Sequence, residues 1–128
     1  MRQEEHNIQV ACVRWFNLQY PQYRGLLFAV PNGGARNLVT AAKLKAEGVT
    51  PGVADLLLLV PQWYTTWRGY EGCLYAGLCI EMKTPKGRQS PEQKVWQYNV
   101  EGVGYKYSVC HSIEEFVDTI NNYLNRNE

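Results

Sequence analysis

The chain lacks a dominant charge: thirteen Lys and Arg against twelve Asp and Glu leave +1 over 128 residues. Net charge therefore neither requires nor excludes a nucleic-acid partner, and only local clusters can speak to one. Histidine is scarce, with His6 and His111 far apart in sequence. Each reads as a surface group or an outer partner of a site. The four cysteines, Cys12, Cys73, Cys79 and Cys110, form no C-x-x-C pair and have no histidine at ligand spacing. That pattern argues against structural zinc and for reduced, mostly buried thiols. No apolar run approaches the roughly 18 residues of a membrane span, and the opening MRQEEHNIQ has no apolar signal segment. The expectation is a cytoplasmic protein. With 45% apolar and 20% charged residues the composition is globular, and residues 1–128 suit a single domain with one core.

The hydrophobic periodicity predicts eight main elements. Ile8, Cys12, Trp15 and Phe16 fall at helical spacing within 4–20, and Pro21 stops the run. A short strand at 26–30 leads into a turn at Pro31-Asn32-Gly33-Gly34, then a helix over 35–47 with Gly48 just past its end. LLLLV at 56–60 reads as a central strand covered on both faces. The aromatic stretch 61–72 reads as an irregular excursion, followed by a strand at 74–83. Ser90-Pro91-Glu92-Gln93 has a capping box and a proline at the first helical position, predicting a helix from there to about Gly102. A strand at 105–110 precedes a final helix, where Ser112 and Glu115 repeat the capping pattern. Ile113, Phe116, Val117, Ile120 and Leu124 form its apolar stripe. The order α-β-α-β-β-α-β-α predicts an α/β fold, a mixed sheet flanked by helices.

Chemistry concentrates in IEMKTPKGRQSPEQ at 80–93. Alternation puts Glu81 and Lys83 on one face of a strand, with Met82 opposite. Asp55 heads the other buried strand. If the two strands are neighbours, Asp55 and Glu81 meet at one end of the sheet with Lys83 beside them. Paired carboxylates repel unless a proton or cation intervenes, and oxygen ligands of this kind suit Mg²⁺. Such a site can hydrolyse a phosphodiester, with Lys83 near the attacking water. Blander readings fit the same residues: an exposed Glu81–Lys83 pair, Asp55 as a turn residue after Pro51-Gly52, and Gln93 as a cap partner alone. Arg36, Lys86, Arg88 and Lys94 read either as solvated basic residues or as phosphate contacts.

Five segments in order, Glu5-His6-Asn7-Ile8-Gln9, Pro31-Asn32-Gly33-Gly34, the run from Gly48 to Leu56, Ile80 to Gly87, and Ser90 to Trp96, resemble the virus-type replication-repair nuclease (VRR-NUC) family of the PD-(D/E)xK superfamily. The resemblance spans nearly the whole chain. It implies a restriction-endonuclease-like fold and a Mg²⁺-dependent DNA endonuclease, with Mn²⁺ as a substitute. Asp55 and Glu81 are then metal ligands, Lys83 acts near the attacking water, and Glu5 on the first helix completes the site ahead of Glu4. Gln9 can share the Glu5 face, and Gln93, in the family's Gln-x-x-Trp helix with Trp96, is expected at the site edge. Stand-alone members imply a homodimer acting on branched DNA such as four-way junctions. One departure is Ala54-Asp55 where the superfamily has Pro-Asp, which removes a rigid residue but no ligand atom. The alternatives are a non-cleaving nucleic-acid-binding module on the same fold and a sequence-specific restriction nuclease, for which so short a chain has little room. The segment from Trp63 to Glu71 has no counterpart; its aromatics could stack on bases, but covering the hairpin is the simpler expectation.

Overall fold

The computed structural model describes residues 3–31 and 38–125; Asn32, Gly33, Gly34 and Arg36 lie outside them. Elements follow in the order α1 (Gln3–Gln19), a short 3₁₀ turn (Pro21–Tyr23), β1 (Leu27–Ala29), α2 (Leu38–Ala46), β2 (Leu56–Leu58), β3 (Gln62–Thr65), β4 (Glu71–Tyr75), β5 (Leu78–Met82), α3 (Pro91–Gly102), β6 (Lys106–Cys110) and α4 (Ile113–Leu124). Four strands form the central sheet in the order β1-β2-β5-β6. The first three pair antiparallel, and β6 joins β5 parallel, so the sheet is mixed as predicted. A parallel neighbour requires a crossover, which α3 supplies.

Strand alternation divides the core. Leu56, Leu58, Ile80 and Met82 pack with Cys12 and Phe16 of α1 and with Phe116, Ile120 and Tyr123 of α4. Leu57, Cys79 and Tyr107 belong to the opposite face, against Trp96 and Val100 of α3. Helices therefore cover both faces, and Glu81, one residue beyond Ile80, is on the α3 side by parity. Three of the cysteines are buried, and burial pushes the Cys12 thiol up to about 12 and Cys79 to about 11. These are packing groups rather than nucleophiles. Among the described residues, no helix is long and apolar enough to cross a membrane.

The middle of the chain departs from the sequence reading. Of the LLLLV run, Leu56–Leu58 are in register with the three residues of β1, Leu59 N–H still donates to Leu26 O at 2.9 Å, and the Leu59 side chain is exposed. The 61–72 stretch is not irregular: β3 and β4 form a two-stranded sheet of their own. The Thr66–Gly69 turn closes it, with Gly69 N–H donating to Thr66 O and Gly69 at φ +84°. Gln62 Nε2 donates to Tyr123 O at 2.9 Å, and Tyr123 Oη donates to Val60 O at 2.7 Å, fastening the hairpin base to α4. Tyr64 lies across Gly72, where a Cβ would collide with its ring. Trp67 is 89% exposed at the turn, with the Arg68 guanidinium 4.8 Å from its ring centroid.

Candidate active site

Antiparallel pairing of β2 with β5 sets Leu56 opposite Ile80, so Asp55 and Glu81 arrive at the same end of the sheet. Asp55 is not a solvated turn residue. Its Oδ2 accepts the Met82 backbone N–H at 2.7 Å, and its carbonyl accepts from Val30 N–H at 2.9 Å. One bond ties the carboxylate to β5, and the other extends the chain towards β1.

Glu81 is 1% exposed, which removes the reading of a surface acid–base pair. Its Oε1 accepts from Gln93 Nε2 at 2.9 Å, while Oε2 is buried and receives no hydrogen bond from a donor among the described residues; in its protonated form the carboxyl hydrogen-bonds Asp55. Burial, then the neighbouring Asp55, and more weakly Glu5 push its carboxyl up to about 9, with Lys83 pulling the other way. At neutral pH and without a cation the group therefore keeps its proton. Lys83 lines the same cleft, half-buried, and forms no ion pair with a described residue.

Gln93 performs both tasks that its sequence context left open. Its Oε1 accepts from Ser90 N–H at 2.8 Å, and Ser90 Oγ accepts from Gln93 N–H at 3.2 Å, completing the capping box. The same side chain's Nε2 fixes Glu81. Replacing Gln93 by Glu keeps the cap acceptor but exchanges this donor for a negative oxygen. On the nuclease activity that the sequence resemblance implies, cleavage should fall about 10–100-fold, the usual range for a group that orients a ligand, with the helical circular dichroism unchanged. Equal activity of the two proteins would make the Gln93–Glu81 bond dispensable.

Gly52 sets how closely the loop before Asp55 approaches α3. It has φ +82°, and a Cβ there would run into the backbone of Glu92 and Gln93. Gly52→Ala should destabilise the protein by about 1–3 kcal/mol through overpacking and the left-handed backbone. A thermal melt that matches the native protein would contradict that close approach.

These elements enclose an open cleft of about 1000 Å³. Glu5, Gln9, Asp55, Glu81, Lys83 and Gln93 all line it. Gln9 contributes a second buried oxygen, Oε1, without a partner. Glu5 shares the cleft, yet among the described residues no three His, Cys, Asp or Glu side chains group closely enough to hold a metal together. The two-carboxylate core is thus Asp55 and Glu81, and Glu4 is exposed outside the lining. Lys86, Arg88 and Lys94 are exposed and outside the lining as well. Arg36 lies outside the described residues.

One contributor was not found by sequence reasoning. Lys45, in the last turn of α2, lines the cleft, although nothing in its local pattern separates it from Lys43. His111 stands with Nε2 3.2 Å from Gly87 O and Nδ1 3.2 Å from Glu115 Oε1, joining the basic loop after Lys83 to α4. The repeated capping pattern is half formed: Ser112 Oγ accepts from Glu115 N–H, but Glu115 turns to His111.

The carboxylate and amide side chains of the cleft offer oxygen donors, and no cysteine or histidine is in its lining. The buried Glu81 Oε2, reached by no donor among the described residues, and the Asp55 oxygen not taken by Met82 suit a hard cation such as Mg²⁺, which keeps several waters and needs few protein ligands.

No curated protein matches the chain. A solved structure described as a VRR_NUC domain protein superposes with a TM-score of 0.77 at 22% identity, covering 100% of this chain and 93% of that one. At that identity the likeness speaks to the fold. The VRR-NUC domain family matches residues 3–114, which include Glu5, Asp55, Glu81, Lys83 and Gln93. The chain belongs to the VRR-NUC domain family, and so to a family of nucleases.

Proposed function

We propose that the protein is a Mg²⁺-dependent endonuclease that hydrolyses phosphodiester bonds in DNA, with Mn²⁺ able to substitute. The observation that supports this most is the buried Glu81, its Oε2 reached by no donor among the described residues, beside Asp55 in an open cleft. Asp55 and Glu81 would hold the cation, with Glu5 adding negative charge at the cleft. Bound there, Mg²⁺ would supply a Lewis acid for a phosphoryl oxygen and acidify a water. Gln93 keeps Glu81 Oε1 in place, and the Met82 N–H does the same for Asp55 Oδ2. Lys83 offers its ammonium to the phosphate or to the attacking water, and Lys45 offers a second cation for the strand. Lys86, Arg88, Lys94 and Arg36 would neutralise phosphates farther along the DNA.

Because Glu81 is protonated when free, cation binding must displace its proton. Apparent Mg²⁺ affinity should therefore strengthen as pH rises, by up to about tenfold per unit, levelling off near pH 9 where Glu81 titrates. Calorimetric titration at pH 6, 7 and 8 tests this; a pH-independent constant would place the cation elsewhere.

Branched DNA, such as a four-way junction, is the proposed substrate and a homodimer the proposed assembly. One cleft of this kind cuts one strand, and symmetric cutting requires two sites related by a two-fold axis. Linear, flapped and four-way substrates, each with Mg²⁺, Mn²⁺ or EDTA, should show strongest cutting of the branched forms and none in EDTA. Binding without cutting under every metal condition would favour a non-cleaving module. Light scattering should give a dimer; a monomer with full junction-cutting activity would exclude the assembly.

A further inference from the structure

A second depression, of about 490 Å³, runs along the outer side of α1. His6, Val10, Arg14 and Leu18 recur on the helix at intervals of four and share one stripe, and Arg24 from beyond the 3₁₀ turn faces the same groove. The groove has three features that bear on its occupant. No Asp or Glu lines it, whereas four line the cleft: Glu5, Asp55, Glu81 and Glu92. Arg14 and Arg24 are exposed and form no ion pair with a described residue. Gln9 lines both depressions, so the groove borders the cleft at this residue, and the Gln9 Oε1 there is buried without a partner among the described residues.

We propose that this groove holds the nucleic-acid strand as it leaves the cleft on one side of the cut. Arg14 and Arg24 neutralise its phosphates, and Val10 and Leu18 give sugars an apolar floor. The inference rests on the nuclease reading and extends it to a directional footprint. The twelve helical steps from His6 to Leu18 span about 18 Å, the length of about five nucleotides at ~3.4 Å each. A second copy of the chain fits the groove less well. Isologous contact would bring the Arg14 and Arg24 side chains of both copies together with no carboxylate in the groove to offset them.

The test uses the full chain carrying Glu81→Gln, so that nothing is cut, with and without Arg14→Ala plus Arg24→Ala. Affinity for a fluorescein-labelled duplex is measured from 50 to 200 mM KCl, with circular dichroism and light scattering on the same samples. The arginine variant should bind at least about tenfold more weakly at the lowest salt, and its salt dependence should be shallower by about 2, one unit per lost phosphate contact. Removing about five nucleotides from one side of the cut should weaken the parent protein similarly and the arginine variant little further. Unchanged affinity and salt slope, or equal losses on shortening either end, would overturn the proposal. A switch from dimer to monomer in the variant would assign the groove to contact between copies and overturn it too. Failure of the native chain to bind or cut DNA at all would instead overturn the nuclease reading beneath it.

Discussion

Asp55→Asn is expected to lose Mg²⁺-dependent cleavage by about a thousandfold or more while binding DNA almost as well as the native protein. The amide oxygen can still accept the Met82 N–H that Asp55 Oδ2 accepts now, so the end of β5 stays anchored. What disappears is a negative ligand in the cleft. Binding, proposed to rest on the basic residues, should be left largely intact. Glu81→Gln should behave alike, since an amide fills the same buried position without a carboxylate. Substantial cutting by Asp55→Asn, in protein free of contaminating nuclease, would remove Asp55 from the metal site.

The second large effect is on stability, and its sign follows from Glu81. The folded carboxyl titrates near 9 against an ordinary 4.5, so across that window the folded protein binds a proton that the unfolded chain has released. Stability is then fully present below about pH 4.5 and is lost as pH rises towards 9. In EDTA the native protein should melt progressively lower from pH 6 to pH 9, relative to Glu81→Gln, which keeps a neutral group throughout. Adding Mg²⁺ should raise the melting temperature of the native protein, by about 2.7 kcal/mol of stabilisation at a hundred times the dissociation constant. The rise should be larger at pH 8 than at pH 6 and largely absent in Glu81→Gln. Parallel pH profiles for the two proteins in EDTA would mean that Glu81 folds as an ordinary carboxylate.

Much of this arrangement was legible because local signals agreed with tertiary ones. The Ser90-Pro91-Glu92-Gln93 cap placed the start of α3, and strand alternation put Glu81 and Lys83 on one face. Asp55 and Glu81 meet because β2 and β5 are neighbours, a condition that periodicity could state but not establish. The double use of Gln93 was illegible for a related reason. One end of an amide satisfies the local cap, and nothing in a sequence window shows what the other end reaches.

The hairpin shows the opposite failure. Trp63 and Tyr64 are adjacent large aromatics, so the period-2 signal of β3 is masked, and the stretch reads as irregular. Five apolar residues in LLLLV suggested a longer buried strand than exists. β1 is only three residues long, and at Leu59, whose N–H still reaches Leu26 O, the side chain is already exposed. Lys45 escaped notice because a lysine in the last turn of a helix is already explained by the helix dipole.

The most direct measurement is cleavage of a labelled four-way junction by native protein and Glu81→Gln, prepared identically and titrated with Mg²⁺ from an EDTA-treated state. The expected result is no cutting by either without metal, saturable cutting by the native protein as Mg²⁺ is added, and at least a thousandfold less by Glu81→Gln. Metal-independent cutting, or equal Mg²⁺-dependent cutting by the two proteins, would contradict a cation held by Asp55 and Glu81.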